Sequence, residues 1–245
     1  MADQVLIVVH QEHSTPGKIG IFLERRGYVL DRRCPNLGDP LPDDLTPYSA
    51  VVVFGGPMSA NDDHMDGIKA ELDWIEGTAL PSGCPIAGIC LGAQEIARVL
   101  GAKVGVHDDG LVEIGYWDVH PTGACTSFLD QPMTFYQWHS ETFDIPASAV
   151  HLAKSDAFPG QAFRYGEHVY AIEFHPEMTK EMIERWSTSE RGAPKLVTYK
   201  DKGARPREHH FSGYDLHAAA SDRWLNHFLD NHLLVLAKSE FRATG

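Results

Sequence analysis

Cysteine is scarce in this sequence, and the few cysteines are scattered. Cys34, Cys84, Cys90 and Cys125 are the only four, and no two of them form a Cys-x-x-Cys pair. Zinc sites and disulfide frameworks are recognised by such spacings or by a higher cysteine content. We therefore expect neither, and reduced thiols fit a cytoplasmic protein.

Basic residues are also in short supply. The sequence has 21 Lys and Arg against 34 Asp and Glu, which gives a formal net charge of −13. Such a charge disfavours nucleic acid and anionic membranes as partners. The acidity is more simply interpreted as a contribution to solubility.

Long apolar runs are absent. No stretch of the sequence is long enough to span a bilayer, and its start lacks the basic segment and apolar run of a signal peptide. The length of 245 residues predicts one large domain, or a domain with a modest extension. We expect no membrane association.

The first 100 residues alternate between strand and helix patterns. Strands are predicted at 5–9, 28–32, 50–54 and 84–89, and helices at 16–26, 66–76 and 92–100. The continuous apolar runs 5–9 and 50–54 are typical of strands that are buried on both faces. This order predicts an α/β fold with a mostly parallel sheet flanked by helices.

The pattern changes after Gly101. Residues 102–175 contain short alternating segments and a hairpin at Gly166-Glu167, which predicts a mostly antiparallel region, and a helix is expected at 179–186. Residues 187–213 mix Gly, Pro and charges without a period, which predicts a mobile loop.

A long amphipathic helix is predicted at 216–236, with Trp224, Leu225, Phe228 and Leu229 on its apolar face. We interpret residues 1–186 as the main domain. Residues 187–245 are interpreted as an extension, a loop and this helix, that packs on the same domain.

The segment Gly88-Ile-Cys90-Leu-Gly92 has the form of a nucleophile elbow. The two glycines relieve crowding at a sharp turn from strand to helix, where the cysteine is held in a strained conformation. The N-terminus of the following helix is directed at the sulfur and is expected to favour the thiolate. The alternative is a buried cysteine in an ordinary turn.

Two other segments end predicted strands, where ligands of such sheets bind. At Gly55-Gly56-Pro57, the N–H of Gly56 could join that of Leu91 in an oxyanion hole. In His175-Pro176-Glu177, residues two apart face the same way, so Glu177 can orient His175 for service to a thiol. A plain turn and a surface His–Glu pair are the respective alternatives.

Three motifs together resemble the class I glutamine amidotransferases, over about residues 5–185: Gly88-Ile-Cys-Leu-Gly-Ala-Gln94, Gly55-Gly-Pro-Met-Ser59 and Phe174-His-Pro-Glu177. Within the family the sequence is most similar to the glutaminase part of GMP synthetase and its stand-alone relatives. The resemblance implies a three-layer, flavodoxin-like α/β fold with a central mostly parallel sheet and a small antiparallel sheet. Met58 departs from the Gly or Glu often found after Gly-Gly-Pro.

The resemblance also implies roles for individual residues. It implies a catalytic triad of Cys90, His175 and Glu177, oxyanion donors at Gly56 and Leu91, and substrate contacts at Gln94, His139, Ser140 and Glu141. The implied reaction is hydrolysis of the glutamine side-chain amide through a γ-glutamyl thioester, without metal or organic cofactor.

The resemblance implies a separate synthetase as the partner that receives the ammonia. The sequence contains no synthetase region and 187–245 matches no family motif, so the acceptor of the ammonia stays open. Two alternatives stay open. One is a free-standing hydrolase of γ-glutamyl compounds that uses the same residues. The other is a non-catalytic binding protein that keeps the fold.

Overall fold

The apolar runs of the sequence form the centre of a nine-stranded sheet in the computed structural model, which describes residues 3–235. The strands are β1 Gln4–Val8, β2 Val29–Arg33, β3 Tyr48–Val53, β4 Ile86–Ile89, β5 Val104–Val106, β6 Glu113–Pro121, β7 Met133–His139, β8 Glu141–Phe143, β9 Ala149–Lys154, β10 Ala162–Tyr165 and β11 Val169–Ile172. The order across the large sheet is β2-β1-β3-β4-β11-β10-β9-β6-β7.

The sheet is mixed, and its two halves differ in direction. Strands β2, β1, β3, β4 and β11 pair in parallel. From β11 to β7 every pairing is antiparallel, and β5 and β8 form a separate two-stranded antiparallel sheet. The expected α/β architecture, with its small antiparallel sheet, is confirmed. The parallel half places the carboxyl ends of β1, β3 and β4 side by side.

Helices pack on both faces of the sheet. In chain order the α-helices are α1 Gly17–Arg25, α2 Asp66–Trp74, α3 Leu91–Val99, α4 Lys180–Thr188, α5 Gly192–Thr198 and α6 Arg207–Phe228. Alternate residues of β1 enter two separate cores. Val5 and Ile7 pack with apolar residues of α1 and α6, whereas Leu6 and Val8 pack with those of α2 and α3. This division explains why residues 5–8 of the strand are all apolar.

The prediction of a mobile loop at 187–213 is wrong. This segment contains α5, and its last seven residues, 207–213, belong to α6. Gly213 suggested a loop, but a Cβ there would lie 2.3 Å from Cδ2 of Tyr116 in β6. The glycine lets α6 approach the sheet closely, a packing requirement that resembles a loop signal in the sequence.

The C-terminal helix begins nine residues earlier than predicted, at Arg207 rather than residue 216, and continues past Phe228 as a π-helical turn, Leu229–Leu233. Its predicted apolar residues are buried, and Nε1 of Trp224 donates to the carbonyl oxygen of Phe128 at 2.7 Å. The division of the chain at 186/187 stays a prediction, and residues 1–2 and 236–245 lie outside the described residues.

Among residues 3–235, no helix combines the length and the apolar composition that crossing a membrane requires.

Candidate active site

Cys90 lies at the junction of β4 and α3, in the strained conformation that the sequence predicts. Its φ of 51° and ψ of −107° make it the only residue other than glycine with a positive φ among residues 3–235. Its N–H donates to the carbonyl oxygen of Ile172 in β11 at 2.8 Å. Neighbouring strands therefore hold a conformation that costs about 1–3 kcal/mol and that recurs at functional sites.

The two glycines of the elbow are required by close packing. A Cβ at Gly92 would lie 2.3 Å from the carbonyl oxygen of Val53, and one at Gly88 would lie 2.6 Å from that of Gly92 itself. A side chain at Gly92 would push α3 away from β3, and one at Gly88 would push β4 and α3 apart. The close packing of the elbow therefore requires glycine at both positions.

His175 follows β11 and is fixed by backbone and side-chain contacts. Its N–H donates to the carbonyl oxygen of Tyr136, and its Nδ1 lies 2.8 Å from Oε1 of Glu177. Because a carboxylate accepts, Nδ1 carries the proton and donates, and Nε2 is left with a lone pair. Within the described part of the chain, Nε2 has no hydrogen-bond partner. The ring also meets Trp186 edge-on at 4.9 Å between centroids.

Glu177 is in turn fixed by the start of α1. The N–H of Lys18 donates to its carbonyl oxygen at 2.8 Å. The side chain is 2% exposed, so its contact with His175 lies away from solvent. A carboxylate held in this way can fix the tautomer and orientation of an imidazole.

Gly55 marks the point where these groups meet. A Cβ at Gly55 would lie 3.1 Å from Cε1 of His175 and 3.8 Å from Sγ of Cys90. The thiol and the imidazole therefore border the same small volume, which glycine leaves free of a side chain. The structure brings together the three residues of the predicted triad.

Burial changes the expected state of the thiol. Cys90 is 7% exposed, and burial, followed by the charges of Glu173 and Glu177, raises the pKa of its thiol well above the ordinary value. This direction is opposite to the thiolate expected from the helix N-terminus alone. Desolvation and two nearby carboxyl groups outweigh the helix, so the thiol is protonated in this conformation.

The predicted oxyanion donors also lie at this edge. The backbone N–H of Leu91 hydrogen-bonds the sulfur of Cys90, which is why it opposes the rise in the thiol's pKa. A Cβ at Gly56 would lie 2.9 Å from Cδ2 of Leu91. The two residues predicted to supply the donors therefore lie close to each other in space, and Leu91 contacts the thiol.

A model of the family glutamine amidotransferase class-I matches residues 32–185. The chain belongs to this family. It is 30% identical over 190 residues to the glutamine amidotransferase-like protein YfeJ of Salmonella typhimurium, a match covering 74% of this chain and 78% of the relative.

The chain is also similar to a GMP synthase in sequence and to a solved glutamine amidotransferase in structure. A GMP synthase (glutamine-hydrolyzing) of Vibrio vulnificus is 28% identical over 219 residues, which are 78% of this chain but only 41% of the relative. This family member thus spans about two fifths of such a synthase. The crystal structure of a glutamine amidotransferase from Thermotoga maritima has a TM-score of 0.82 at 26% identity, covering 96% of this chain and 99% of that chain.

The side chains of Gln94 and His139, two predicted substrate contacts of this family member, form hydrogen bonds within the protein. Nε2 of Gln94 donates to the carbonyl oxygen of Glu141 and to Oε1 of Glu173, at 3.2 and 2.8 Å. Nδ1 of His139 donates to the same carbonyl, and its Nε2 lies 3.1 Å from Oε2 of Glu113. Both side chains are buried and hold the strand end at Glu141. Ser140 and Glu141 are half-buried.

Glu173, the acidic centre of this network, is not among the predicted site residues. Burial raises the pKa of Glu173 to about 8. Burial lowers the pKa of His139, but Glu173 and Glu113 more than offset this, so its pKa is raised. A signal was available, because Glu173 interrupts the apolar run 169–174 and lies two positions before His175 of the Phe174-His175 motif.

Two histidines outside the predicted triad are buried. His210 lies in the segment predicted as a loop, but it is fully buried, and there Nε2 donates to the carbonyl oxygen of Arg205 and Nδ1 accepts from the hydroxyl of Tyr136. His10, which received no role, is 1% exposed and lies 2.8 Å from Glu71. It lies two residues after β1. Ligands of such sheets bind at the carboxyl ends of the strands, and this rule applies to His10 as it does to the other strand ends.

Proposed function

We propose that this family member hydrolyses the side-chain amide of glutamine or of γ-glutamyl compounds, with Cys90 as nucleophile. The observation that carries the proposal is the strained Cys90 beside a histidine whose Nδ1 is held by a carboxylate. A thiol, an imidazole and an orienting carboxylate are the parts that nucleophilic catalysis on an amide requires.

In the proposed first half-reaction, Nε2 of His175 accepts the thiol proton as the sulfur attacks the γ-carbonyl carbon. The C–N bond then breaks, and His175 donates the proton to the departing nitrogen, which leaves as ammonia. The γ-glutamyl group stays on Cys90 as a thioester. The raised pKa of the thiol fits this order, because proton transfer then accompanies the attack.

In the second half-reaction, His175 takes a proton from water, and the hydroxide oxygen attacks the thioester carbon. The C–S bond breaks, the proton returns to the sulfur, and glutamate leaves. Glu177 keeps Nδ1 protonated and stabilises the imidazolium that forms in each step. No metal or organic cofactor takes part in this scheme.

The N–H groups of Gly56 and Leu91 are proposed to stabilise the negative oxygen of each tetrahedral intermediate. Such donors are worth about 10²–10³-fold in rate. The strand end at Ser140 and Glu141 is proposed to meet the amino-acid head of the substrate. Gln94 and His139 would act there by holding the backbone of Glu141, as their hydrogen bonds suggest.

The test is covalent labelling of the full chain with 6-diazo-5-oxo-L-norleucine, a glutamine-like electrophile, followed by peptide mapping and an ammonia-release assay. Cys90 should be labelled, and Cys90→Ala should abolish both labelling and ammonia release. The matched control is Cys125→Ala, at a half-buried cysteine outside the proposed site. Labelling mainly at Cys34, Cys84 or Cys125 would refute the assignment, and a folded chain that neither labels nor releases ammonia would favour the non-catalytic alternative.

A second question is whether the ammonia passes to a synthetase or is released by a free-standing hydrolase. GMP synthases among the relatives suggest a separate synthetase as the recipient of ammonia. A free-standing γ-glutamyl hydrolase is favoured by α6, whose apolar face packs on the chain's own sheet instead of being left for another subunit. Rates on glutamine, γ-glutamyl amides and γ-glutamyl peptides would separate the two.

A further inference from the structure

The end of β1 carries a buried cluster of one histidine and two carboxyl groups that the proposed reaction does not use. His10 is 1% exposed, and Glu71 of α2 and Glu95 of α3 are fully buried. One ligand-type atom from each lies within 4.8 Å of the others. This cluster connects three separate elements directly behind the Gly55-Gly56 turn.

The two ring nitrogens of His10 have different partners. Nδ1 lies 3.2 Å from the carbonyl oxygen of Gly55, which can only accept, so Nδ1 carries a proton and donates. Nε2 lies 2.8 Å from Oε2 of Glu71 and 3.9 Å from Oε1 of Glu95. The ring therefore connects the glycine turn on one side to the carboxyl groups on the other.

His10 also restricts the next residue of the turn by contact. A Cβ at Gly56 would lie 2.8 Å from both Cβ and Cγ of His10, and 2.9 Å from Cδ2 of Leu91. The backbone of Gly56 is thus confined between the imidazole and the residue that supplies the other proposed donor. A hydrogen bond at Gly55 and a steric limit at Gly56 together fix the direction of the peptide between them.

The cluster suits shared protons better than a metal ion. Among the described residues it offers three ligands, and His10 and Glu71 already lie at direct hydrogen-bond distance. Both oxygens of Glu95 and one of Glu71 have no hydrogen-bond donor within the described residues. Burial and the nearby Glu71 raise the pKa of Glu95 well above its ordinary value, which keeps that carboxyl group neutral. A neutral carboxylic acid needs no metal ion to offset its charge.

We propose that His10 is a positioning residue for the oxyanion hole: held by Glu71, its Nδ1–H and ring fix the Gly55-Gly56 turn so that the N–H of Gly56 faces the oxygen of the intermediate. This inference rests on the proposed hydrolysis and deepens it. It assigns to His10 an effect on the rate of the chemical step, with little effect on the binding of glutamine, because the ring contacts the turn and not the substrate.

The test compares two replacements that each retain one ring nitrogen. In His10→Asn the amide nitrogen can take the place of Nδ1, and in His10→Gln it can take the place of Nε2. His10→Asn should keep kcat within about 5-fold of the parent, whereas His10→Gln should lower kcat by about 10–10²-fold and change KM by less than about 3-fold. The matched control is His13→Gln, at an exposed histidine nearby, which should change neither.

A second readout reports on the oxyanion hole directly. L-glutamate γ-semialdehyde should form a thiohemiacetal with Cys90, whose oxygen occupies the same position as that of the intermediate. Its inhibition constant should rise in His10→Gln by about the factor lost from kcat, while glutamine should bind equally well to Cys90→Ala and to Cys90→Ala with His10→Gln. His10→Asn could fail to fold because Glu71 loses its partner. In that case the double variant His10→Asn with Glu71→Gln removes the unpartnered carboxyl group, and its kcat should likewise stay within about 5-fold of the parent.

The outcomes distinguish this inference from the proposed function. An active parent chain whose kcat is unchanged in His10→Gln, or whose loss lies in KM alone, overturns the role of His10 and leaves the hydrolysis intact. Equal losses in the Asn and Gln variants, in parallel with their free energies of unfolding, indicate a purely structural residue and also overturn it. One equivalent of divalent metal in the purified protein that is lost in Glu95→Gln would reassign the cluster as a metal site. A parent chain without ammonia release or aldehyde adduct overturns both proposals.

Discussion

The side chains around Cys90 carry unequal shares of the proposed chemistry. His175 moves a proton in both half-reactions, whereas Glu177 contacts only Nδ1 of that ring. His175→Ala should therefore lower kcat more than Glu177→Ala, for which we expect a loss of about 10–10³-fold. Steady-state kinetics at matched free energy of unfolding is the measurement, and a larger loss in Glu177→Ala would require the two roles to be exchanged.

Glu173 should make stability depend on pH in a direction opposite to that of an ion-paired carboxylate. Its pKa is raised from 4.5 to about 8 by burial. Between these values the folded protein retains a proton that the unfolded chain releases, so the free energy of unfolding falls as pH rises through this window. Glu173→Gln cannot titrate and should lose less stability over the same range.

Urea unfolding at about pH 5 and about pH 9 would measure this difference, which should amount to on the order of a few kcal/mol in favour of Glu173→Gln at the higher pH. Glu167→Gln, at an exposed carboxyl group, should follow the parent protein within about 0.5 kcal/mol. Parallel pH profiles for the parent and Glu173→Gln would contradict the assignment of a raised pKa.

The residues that the sequence revealed are those with local signatures. Cys90 lies between two glycines, and His175 and Glu177 are two positions apart, so short motifs were sufficient. His10 and Glu71 are 61 positions apart. Their pairing depends on how β1 and α2 meet in space, which no local pattern encodes. Hence the sequence predicts the residues of the proposed triad, but it does not reveal the His10–Glu71 pair behind the Gly55-Gly56 turn.

At the scale of elements, α6 is anchored to the sheet by buried aromatic side chains. Phe228 is 2% exposed, stacks on Trp224 at 5.3 Å and meets Tyr170 edge-on at 5.4 Å. Phe228→Ala should therefore lower the free energy of unfolding by about 3–5 kcal/mol, through lost apolar contacts and a cavity. Leu216→Ala, on the same helix at 74% exposure, is the matched control and should change stability by less than about 0.5 kcal/mol. Chemical denaturation of both variants checks this, and similar losses would mean that α6 is not anchored by its apolar face.

The sequence predicted strands and helices well where one periodicity dominates. The apolar runs at β1 and β3 and the hairpin of β10 and β11 were placed within one to two residues. The prediction at 187–213 was wrong because glycines and charged residues were interpreted as signs of a loop. In the structure the glycines allow close packing, and most of the charged residues are exposed. Gly213 is needed against Tyr116, a residue almost 100 positions earlier, so its role depends on tertiary structure.

At the scale of the whole molecule, the first and last helices of the described chain are joined. Nζ of Lys18 in α1 lies 2.6 Å from Oδ1 of Asp222 in α6, and Arg26 pairs with Asp230 at 2.9 Å. The start of α1 in turn holds the backbone of Glu177. The C-terminal helix is thus connected to the proposed site through α1, besides filling the core. A chain that ends near Ser187 would lose this support, so activity is best measured on the full chain.

The full chain should hydrolyse its substrate without a partner. The parts of the proposed site are held in place within the chain, since Nδ1 of His175 lies 2.8 Å from Glu177, and Gly56 is confined between His10 and Leu91. A subunit that waits for a synthetase would be expected to leave one of these parts unformed. Ammonia or amine release from glutamine, γ-glutamyl amides and γ-glutamyl peptides by the purified chain is the measurement, with Cys90→Ala to exclude contaminating activity. A folded chain that stays silent until a synthetase and its own substrate are added would instead identify an amidotransferase subunit, because hydrolysis would then depend on the acceptor of the ammonia.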